Sequence, residues 1–375
     1  MPPSELEVPP KPDEIELSVF GPGLGEALAI HVGQGAWILV DSCTATGSRL
    51  PLSLEYLAAI GVDAASAVEL VVITHWHDDH VRGIASVVEK CSSSRVAISH
   101  ALTTAEFLTL TSLFRGAAIP EGSGVDELAD VLSIVSARRR AGVRFGSPAL
   151  SGADRKLLNK TLSFGASKID VEVHSLSPSD ESVIQSKVAF ADLISPGTSS
   201  GPIAAPTENH LSVVLVVDVG ADRILLGADL EALADSSRGW KAIIESSTVA
   251  PPPAHTFKIP HHGAASGHDE EVWTKLLVPN PFAVLTPFIR GRVPLPTPSD
   301  VARIKSATRN AYATSLPSTR RYRPSDGKLR SMVEGATKSI ENVQVGHGHV
   351  RLRKFIGAPA GAWNVELFGD AKHLI

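Results

Sequence analysis

The sequence predicts a layered α/β protein that carries its chemistry on loops along one edge of its sheets. Three observations predict it. Short apolar runs alternate with stretches of helical periodicity along most of the chain. Several of these runs stop at a residue able to bind a ligand, as at Asp41, His75 and Asp229. Hydrophobic residues make up 43% of the chain and charged residues 20%, which allows a large buried core.

The elements follow in order. Residues 1–13 are proline-rich and read as a flexible leader. Residues 14–20 (E-I-E-L-S-V-F) alternate polar and apolar, the mark of a half-buried strand. After the turn G-P-G-L-G, the runs 26–32 and 36–40 form a hairpin about Gly33-Gln34-Gly35, and the second run ends at Asp41. Residues 52–62 read as a helix. Residues 68–73 are continuously apolar, as in a strand covered on both faces. The loop T-H-W-H-D-D-H-V-R-G follows, then a helix over 83–90 and a strand over 96–99.

Residues 101–165 change character. Helical patterns at 103–114 and 125–140, with the basic run Arg138-Arg139-Arg140, predict a mostly helical cap inserted beside the site. Residues 170–177 return to strand, and the Ser/Pro/Gly-rich stretch 178–207 reads as a loop. A hairpin over 211–219 and 223–226 ends at Asp229. A helix over 230–246 precedes the strand 257–260, which ends at His261-His262-Gly263. A helix at 269–278 and a strand at 282–286 close this part. Residues 291–375 read as an extension of one domain spanning 14–375, with a helix at 299–309 and strands at 348–355 and 364–368.

Composition narrows the function. A net charge of −5 argues against a generally basic nucleic-acid coat, though not against a local basic groove. Two cysteines, Cys43 and Cys91, exclude a disulfide framework and a cysteine-rich zinc module. No apolar run reaches the roughly 18 residues of a membrane span. The N-terminal stretch has no export core, so a cytoplasmic protein without a membrane partner is expected. Nothing in the pattern fixes the oligomeric state.

The histidines carry the chemistry. Of 14 in 375 residues, three (His75, His77 and His80) fall with Asp79 within six positions directly after a buried strand. Imidazole and carboxylate groups at one strand end suit zinc, manganese or iron, and their two directions predict two adjacent metal positions. Asp229 follows Gly227-Ala228, small residues that would let a metal approach the backbone. A bridging carboxylate there would hold two cations about 3.5–4 Å apart. His262, or His261 beside it, is placed by its strand end to add a ligand. Asp41 is placed to orient a ligand histidine by accepting its other ring N–H. His174 sits within a strand and reads as packing.

The loop V-V-I-T-H-W-H-D-D-H-V-R-G resembles the H-x-H-x-D-H signature of the metallo-β-lactamase superfamily. In order, V-F-G-P-G-L-G-E-A-L-A-I-H-V, W-I-L-V-D-S, N-H-L-S-V-V-L-V-V, R-I-L-L-G-A-D-L and F-K-I-P-H-H-G resemble the metallo-β-lactamase-like domain of ComEC-type DNA-uptake proteins, without their membrane channel. The resemblance implies a four-layer αββα sandwich with a helical insertion, and two divalent ions, zinc or manganese. It puts His75 and His77 on one ion, Asp79 and His80 on the other, Asp229 between them and His262 as the last ligand. His210 or Asn209 would complete the first ion's set. Asp79 and Asp229 would be the catalytic carboxylates. The chain departs from the DNA-uptake pattern at His77, where Asp is frequent, and at P-L-P-T-P-S, where a His-Pro element would stand.

A phosphodiesterase or nuclease follows, with a hydroxide shared by two cations attacking phosphorus. Arg138, Arg139 and Arg140, with Arg82 and Arg144, would bind the phosphates. The same site would serve hydrolysis of a small ester, lactone or thioester. A binding module without catalysis is the third reading, disfavoured because unpaired buried His and Asp are unstable without a metal.

Overall fold

The computed structural model describes residues 8–21, 25–114, 124–194, 209–291, 293–321, 341–359 and 361–374, with Lys328 and Met332. Among them, two eight-stranded sheets pack face to face. The first runs in the order β17 (Asn364–Gly369), β16 (Gly348–Phe355), β1 (Glu14–Gly21), β2 (Ala27–His31), β3 (Trp37–Val40), β4 (Val68–Ile73), β5 (Arg95–Ser99) and β6 (Ala149–Ser151). The second runs β18 (Lys372–His373), β13 (Ala311–Ala313), β12 (Leu277–Leu285), β11 (Ala254–Lys258), β10 (Asp222–Leu226), β9 (Leu215–Val219), β8 (Ser167–Ser175) and β7 (Arg155–Phe164). A separate ribbon pairs β14 (Ser318–Arg321) with β15 (Glu341–Gln344).

The period-2 pattern of the strands explains the layers. Leu17, Ile30, Ile38 and Val72 of the first sheet meet Val173, Val217, Ile224 and Val284 of the second in an inner core. The alternate residues face outward. Trp37, Leu39, Val71 and Ile73 bury against the helices α1 (Leu52–Ala59), α2 (Ala64–Ala67), α3 (Asp78–Val81), α4 (Ile84–Lys90) and α6 (Val125–Arg140). Val216, Leu225 and Phe257 bury against α8 (Gly239–Ser246) and α9 (Pro298–Ala307). Helices therefore cover both outer faces, and the architecture is the expected αββα sandwich. No helix among the described residues is long and apolar enough to cross a membrane.

Several segments differ from expectation. The helical part of 101–165 ends with α6; residues 149–151 and 155–164 are β6 and β7, edge strands of the two sheets. Much of the stretch 178–207 is not loop: α7 spans Asp180–Ile194, and 195–207 lie outside the described residues. Only 239–246 of the stretch 230–246 is helical. In 269–278 the helix runs over 270–276, closing in a π-helical turn, Val272–Leu276, and 277–278 already belong to β12.

Described residues near both ends of the sequence also belong to the sandwich, while 1–7 of the expected leader lie outside the described residues. The carbonyls of Val8 and Pro12 accept hydrogen bonds from Arg353 Nη2 (2.6 Å) and Gln34 N (2.7 Å), so residues 8–13 lie against the first sheet instead of forming a free leader. Strand β16 pairs with β1 along its whole length, from Glu14↔Phe355 to Gly21↔Gly348. Strands β13 and β18 finish the second sheet. Among the described residues of 291–375, β13, β16, β17 and β18 are thus woven into the two sheets.

The two blocks of parallel strands position the site. Strands β3, β4 and β5 run parallel in the first sheet, and β10, β11 and β12 in the second. Asp41 and His75 follow the carboxyl ends of β3 and β4. Asp229, His261 and Thr286 follow those of β10, β11 and β12. Carboxyl ends of parallel strands are where open α/β sheets place ligands.

Candidate metal centre

Four of the expected residues converge. Asp79, His80, Asp229 and His262 each offer a ligand atom within 4.8 Å of the others'. They come from the short helix Asp78–Val81 after β4 and from the ends of β10 and β11, so the cluster joins the two sheets. Asp229, His80 and His262 are buried and Asp79 is half-buried.

Hydrogen bonds fix how each imidazole faces the cluster. His80 Nδ1 lies 2.7 Å from Asp41 Oδ2, whose carboxylate also accepts from Thr74 N (2.8 Å) and Thr74 Oγ1 (2.7 Å). Because the Thr74 hydroxyl donates to Asp41, it can only accept from His75 Nδ1, at 2.9 Å. His262 Nδ1 lies 3.2 Å from the carbonyl oxygen of Thr286, an acceptor. In all three rings the Nδ1 proton is engaged outward, and Nε2 turns its lone pair inward.

The inward atoms then face other acceptors. His80 Nε2 is 3.2 Å from Asp229 Oδ1, and His262 Nε2 is 3.1 Å from Asp79 Oδ2 and 3.4 Å from Asp229 Oδ2. His75 Nε2, His80 Nε2 and Asp229 Oδ1 are buried without a hydrogen-bond partner. Buried acceptors that confront each other are unfavourable unless a positive charge lies between them. A divalent cation fits this donor set of imidazole and carboxylate. Without one, protons do the same work. Burial opposes a charge on His262, but the Asp229 and Asp79 carboxylates outweigh it and push the ring up to about 9. His80 is raised well above the ordinary histidine value by Asp229, Glu26 and Asp79 in spite of burial. Asp79 and Asp229 are held below the usual carboxylate range, since the charges of His80 and His262 outweigh burial. His75 is held well below the ordinary value by burial, with His80 and His77 adding to it.

The other expected ligands are placed differently. His77 lies edge-on to His75, with ring centroids 4.9 Å apart, and His75 is 4.2 Å from His80. Neither His77 nor His210 belongs to the four-residue cluster. His210 is buried in the short turn Asn209–Leu211. Asn209 Nδ2 lies 3.2 Å from His261 Nε2, and its Oδ1 is buried without a partner. His261 Nδ1 meets Ser266 Oγ at 2.9 Å, so both of its nitrogens are occupied at the flank of the cluster.

Asp41, Ala228, His261 and His262 all have positive φ, at 58°, 43°, 48° and 54°. Left-handed backbone at non-glycine residues is strained, and here it gathers at the strand ends that aim the cluster's side chains. Gly227 also lets the ends of β10 and β11 lie close: a Cβ there would lie 3.0 Å from Lys258 O and from Pro260 Cβ.

Several residues that sequence reading did not single out support the loop. Trp76 is buried edge-to-face against Phe107 of α5 (Ala105–Phe114) and Phe190 of α7, each at 5.7 Å. This anchors two helices to the backbone between His75 and His77. Glu127 of α6 accepts from Gly83 N (2.9 Å) and Ala85 N (3.1 Å), capping α4 directly after the histidine loop. Phe288 stacks on His262 at 5.1 Å. The segment P-L-P-T-P-S, where a His-Pro element would stand, instead starts α9: Thr297 N donates to Asp300 Oδ2 (2.9 Å) and Thr297 Oγ1 accepts from Asp300 N (3.2 Å). His174 lies in β8, buried, as packing predicts.

The arginine run is a correction. Arg138 Nη2 donates to the carbonyls of Val88 and of Cys91, the latter at 3.1 Å, so it closes the carboxyl end of α4. Gly124, at the start of α6, lies so close to Trp76 that a Cβ on it would overlap the Trp76 carbonyl oxygen. Arg138 to Arg140 stand at the other end of that helix, about 20 Å away at 1.5 Å per residue. Arg82 and Arg290 are nearer the cluster, both beside Asp78, with Arg290 Nη1 3.6 Å from its Oδ2.

Over part of its length the chain is similar to known proteins. No curated protein matches the chain. Among solved structures, the metallo-β-lactamase fold protein YhfI from Bacillus subtilis is 12% identical, over 66% of this chain and 70% of its own, with a TM-score of 0.30. A Cronobacter sakazakii metallo-β-lactamase with a HARLDQ motif is 14% identical over 64% and 73%, with a TM-score of 0.31. The metallo-β-lactamase SMB-1 bound to 2-mercaptoethanesulfonate is 14% identical over 69% and 82%, with a TM-score of 0.29. Residues 21–113, which hold Asp41 and the whole loop from His75 to His80, match the family model of the metallo-β-lactamase superfamily.

Proposed function

We propose that this chain is a divalent-metal-dependent hydrolase of phosphodiester bonds, with nucleic acid as its substrate class. The observation that carries the metal-dependent part is the set of inward-facing, unpartnered acceptors on His75, His80 and Asp229, beside His262 and Asp79. Asp79, His80, Asp229 and His262 would hold one ion. His75 and His77 would serve a neighbouring one, with Asp229 reaching both. Bound divalent ions would supply Lewis-acid charge to the phosphoryl oxygens and lower the pKa of a water.

The protein's own residues do the rest. Asp41, Thr74 and Thr286 hold the imidazoles in one tautomer and one orientation. Phe288 covers one face of His262 and keeps water from it. Arg82 and Arg290 stand beside Asp78, one residue from Asp79, as guanidinium groups able to grip a phosphate in two places. The order of motifs, ending in F-K-I-P-H-H-G, resembles the ComEC-type DNA-uptake domain and supports a phosphodiester substrate over an ester.

The test compares wild type with Asp79→Ala on bis-p-nitrophenyl phosphate and on single- and double-stranded DNA and RNA, with manganese, magnesium or zinc. Cleavage by wild type alone is expected. Equal cleavage by both proteins would mean a contaminating nuclease. Turnover of a lactone or thioester by wild type, without phosphodiester cleavage, would move the assignment to that substrate class.

A further inference from the structure

Behind the cluster, on the side away from solvent, lies an ion pair that no motif announces. Lys258 Nζ is 2.6 Å from Glu26 Oε2, and both side chains are 1% exposed. Lys258 closes β11, and Glu26 precedes β2 in the other sheet. Taking two charges out of water carries a penalty that mutual attraction only partly offsets, and a hydrophobic pair would hold the sheets as well or better. The contacts around the pair give it another purpose.

Those contacts lead to members of the cluster. The Glu26 N–H donates to the carbonyl of Asp79 at 2.9 Å. Its Oε2 accepts from Thr286 Oγ1 at 2.6 Å, and Thr286 in turn meets His262 Nδ1. Its Oε1 has no hydrogen-bond partner and lies 3.9 Å from His80 Nδ1. Lys258 Nζ donates to the carbonyl of Ala228 at 3.1 Å and stands 4.0 Å from Asp229 Oδ1. One pair thus touches the backbone or side chain at each of the four cluster positions.

We infer that Glu26 and Lys258 are positioning residues that set the cation affinity of the Asp79–His80–Asp229–His262 cluster by holding a balanced charge against it. The ammonium tethers the backbone that carries Asp229, and the Glu26 carboxylate cancels its repulsion of an incoming cation. Unpaired, the ammonium would sit 4.0 Å from the carboxylate that the cation must share. The inference rests on the metal-binding reading of the cluster.

A charge cycle tests it without any assay of activity. Wild type, Glu26→Gln, Lys258→Met and the double variant are stripped of metal, checked for folding by thermal unfolding, and titrated with zinc or manganese against a competing chelator. Glu26→Gln should weaken binding about tenfold, the lower end of the range for groups that support ligands. The double variant, neutral at both positions, should recover most of that loss. A double variant as weak as Glu26→Gln would show a structural loss and overturn the charge argument. Equal affinity of Glu26→Gln and wild type would overturn the inference and leave the metal centre standing. A wild type that binds neither ion would fell the metal-centre reading itself, and the inference with it. If Glu26→Gln does not fold, Lys258→Met removes the ammonium that stands 4.0 Å from Asp229 Oδ1 and should bind the cation more tightly than wild type; equal or weaker affinity in that variant would overturn the inference.

Discussion

The carboxylate of Asp41 lies 2.7 Å from Nδ1 of His80, while the other nitrogen of the same ring lies 3.2 Å from Asp229. One residue at the end of β3 therefore aims an imidazole that also faces the end of β10. Asp41→Asn would replace one oxygen acceptor with a donor and leave the His80 ring free to turn. Metal affinity should fall about 10- to 100-fold, as for other groups that orient ligand histidines. Chelator competition on folded protein measures it, and unchanged affinity would remove Asp41 from this role.

Trp76 ties the ligand loop to its helices. Trp76→Ala removes two edge-to-face contacts and leaves a cavity between α5 and α7. The expected loss of stability is about 3–5 kcal/mol. Urea unfolding followed by far-UV circular dichroism would read it, and a loss under about 1 kcal/mol would mean that the helices hold without the ring.

His31 makes stability depend on pH, far from the cluster. Gly35 N donates to its Nε2 at 2.9 Å, so the proton must sit on Nδ1, which reaches the Glu14 carbonyl at 2.9 Å. Burial lowers this ring to about 4, against an ordinary value of 6.5, and Arg353 adds to the effect. The unfolded chain thus takes up this proton first as the pH falls. The contribution is complete above pH 6.5, shrinks from there to about 4 and changes little below, a span of about 3 kcal/mol. Denaturant unfolding across this window should show the slope, and His31→Asn should flatten it.

The corrected position of the arginines has its own consequence. Arg82→Ala and Arg290→Ala should each raise KM for a phosphodiester about tenfold, the loss of one charged hydrogen bond. The double variant Arg139→Ala/Arg140→Ala should keep kcat/KM within about twofold. The reverse pattern would return the phosphate grip to the far end of α6.

What could be read in the sequence was what is local and periodic. Strand β4 spans 68–73, and α6 spans 125–140, because an apolar run and a helical repeat each state their own extent. The strand-end placement of Asp41, Asp229 and His262 was equally legible. Helix α7 was not: its buried face is Ser182, Val183, Ser186 and Phe190, half serine, so the apolar repeat is broken. Strand β7 hid because its inward residues, Leu157 and Leu162, alternate irregularly across a bulge. Glu26, Lys258 and Thr286 meet only through folding, from the start of one strand and the ends of two others, and no spacing encodes that. The arginine run showed its charge but not which end of α6 faces the ligands.

Strand β1 also sets the timing of assembly. Its neighbour β16 is encoded about 330 residues later, so the pairing closes a very long loop and forms late. As the chain emerges from a ribosome, β1 can pair with β2 early, but its other edge stays bare until residues 348–355 arrive. That bare edge carries Leu17 and Val19 beside unmatched backbone groups, a template for any other extended chain. Damage to β16 would therefore be felt first as aggregation during synthesis, before any question of catalysis arises.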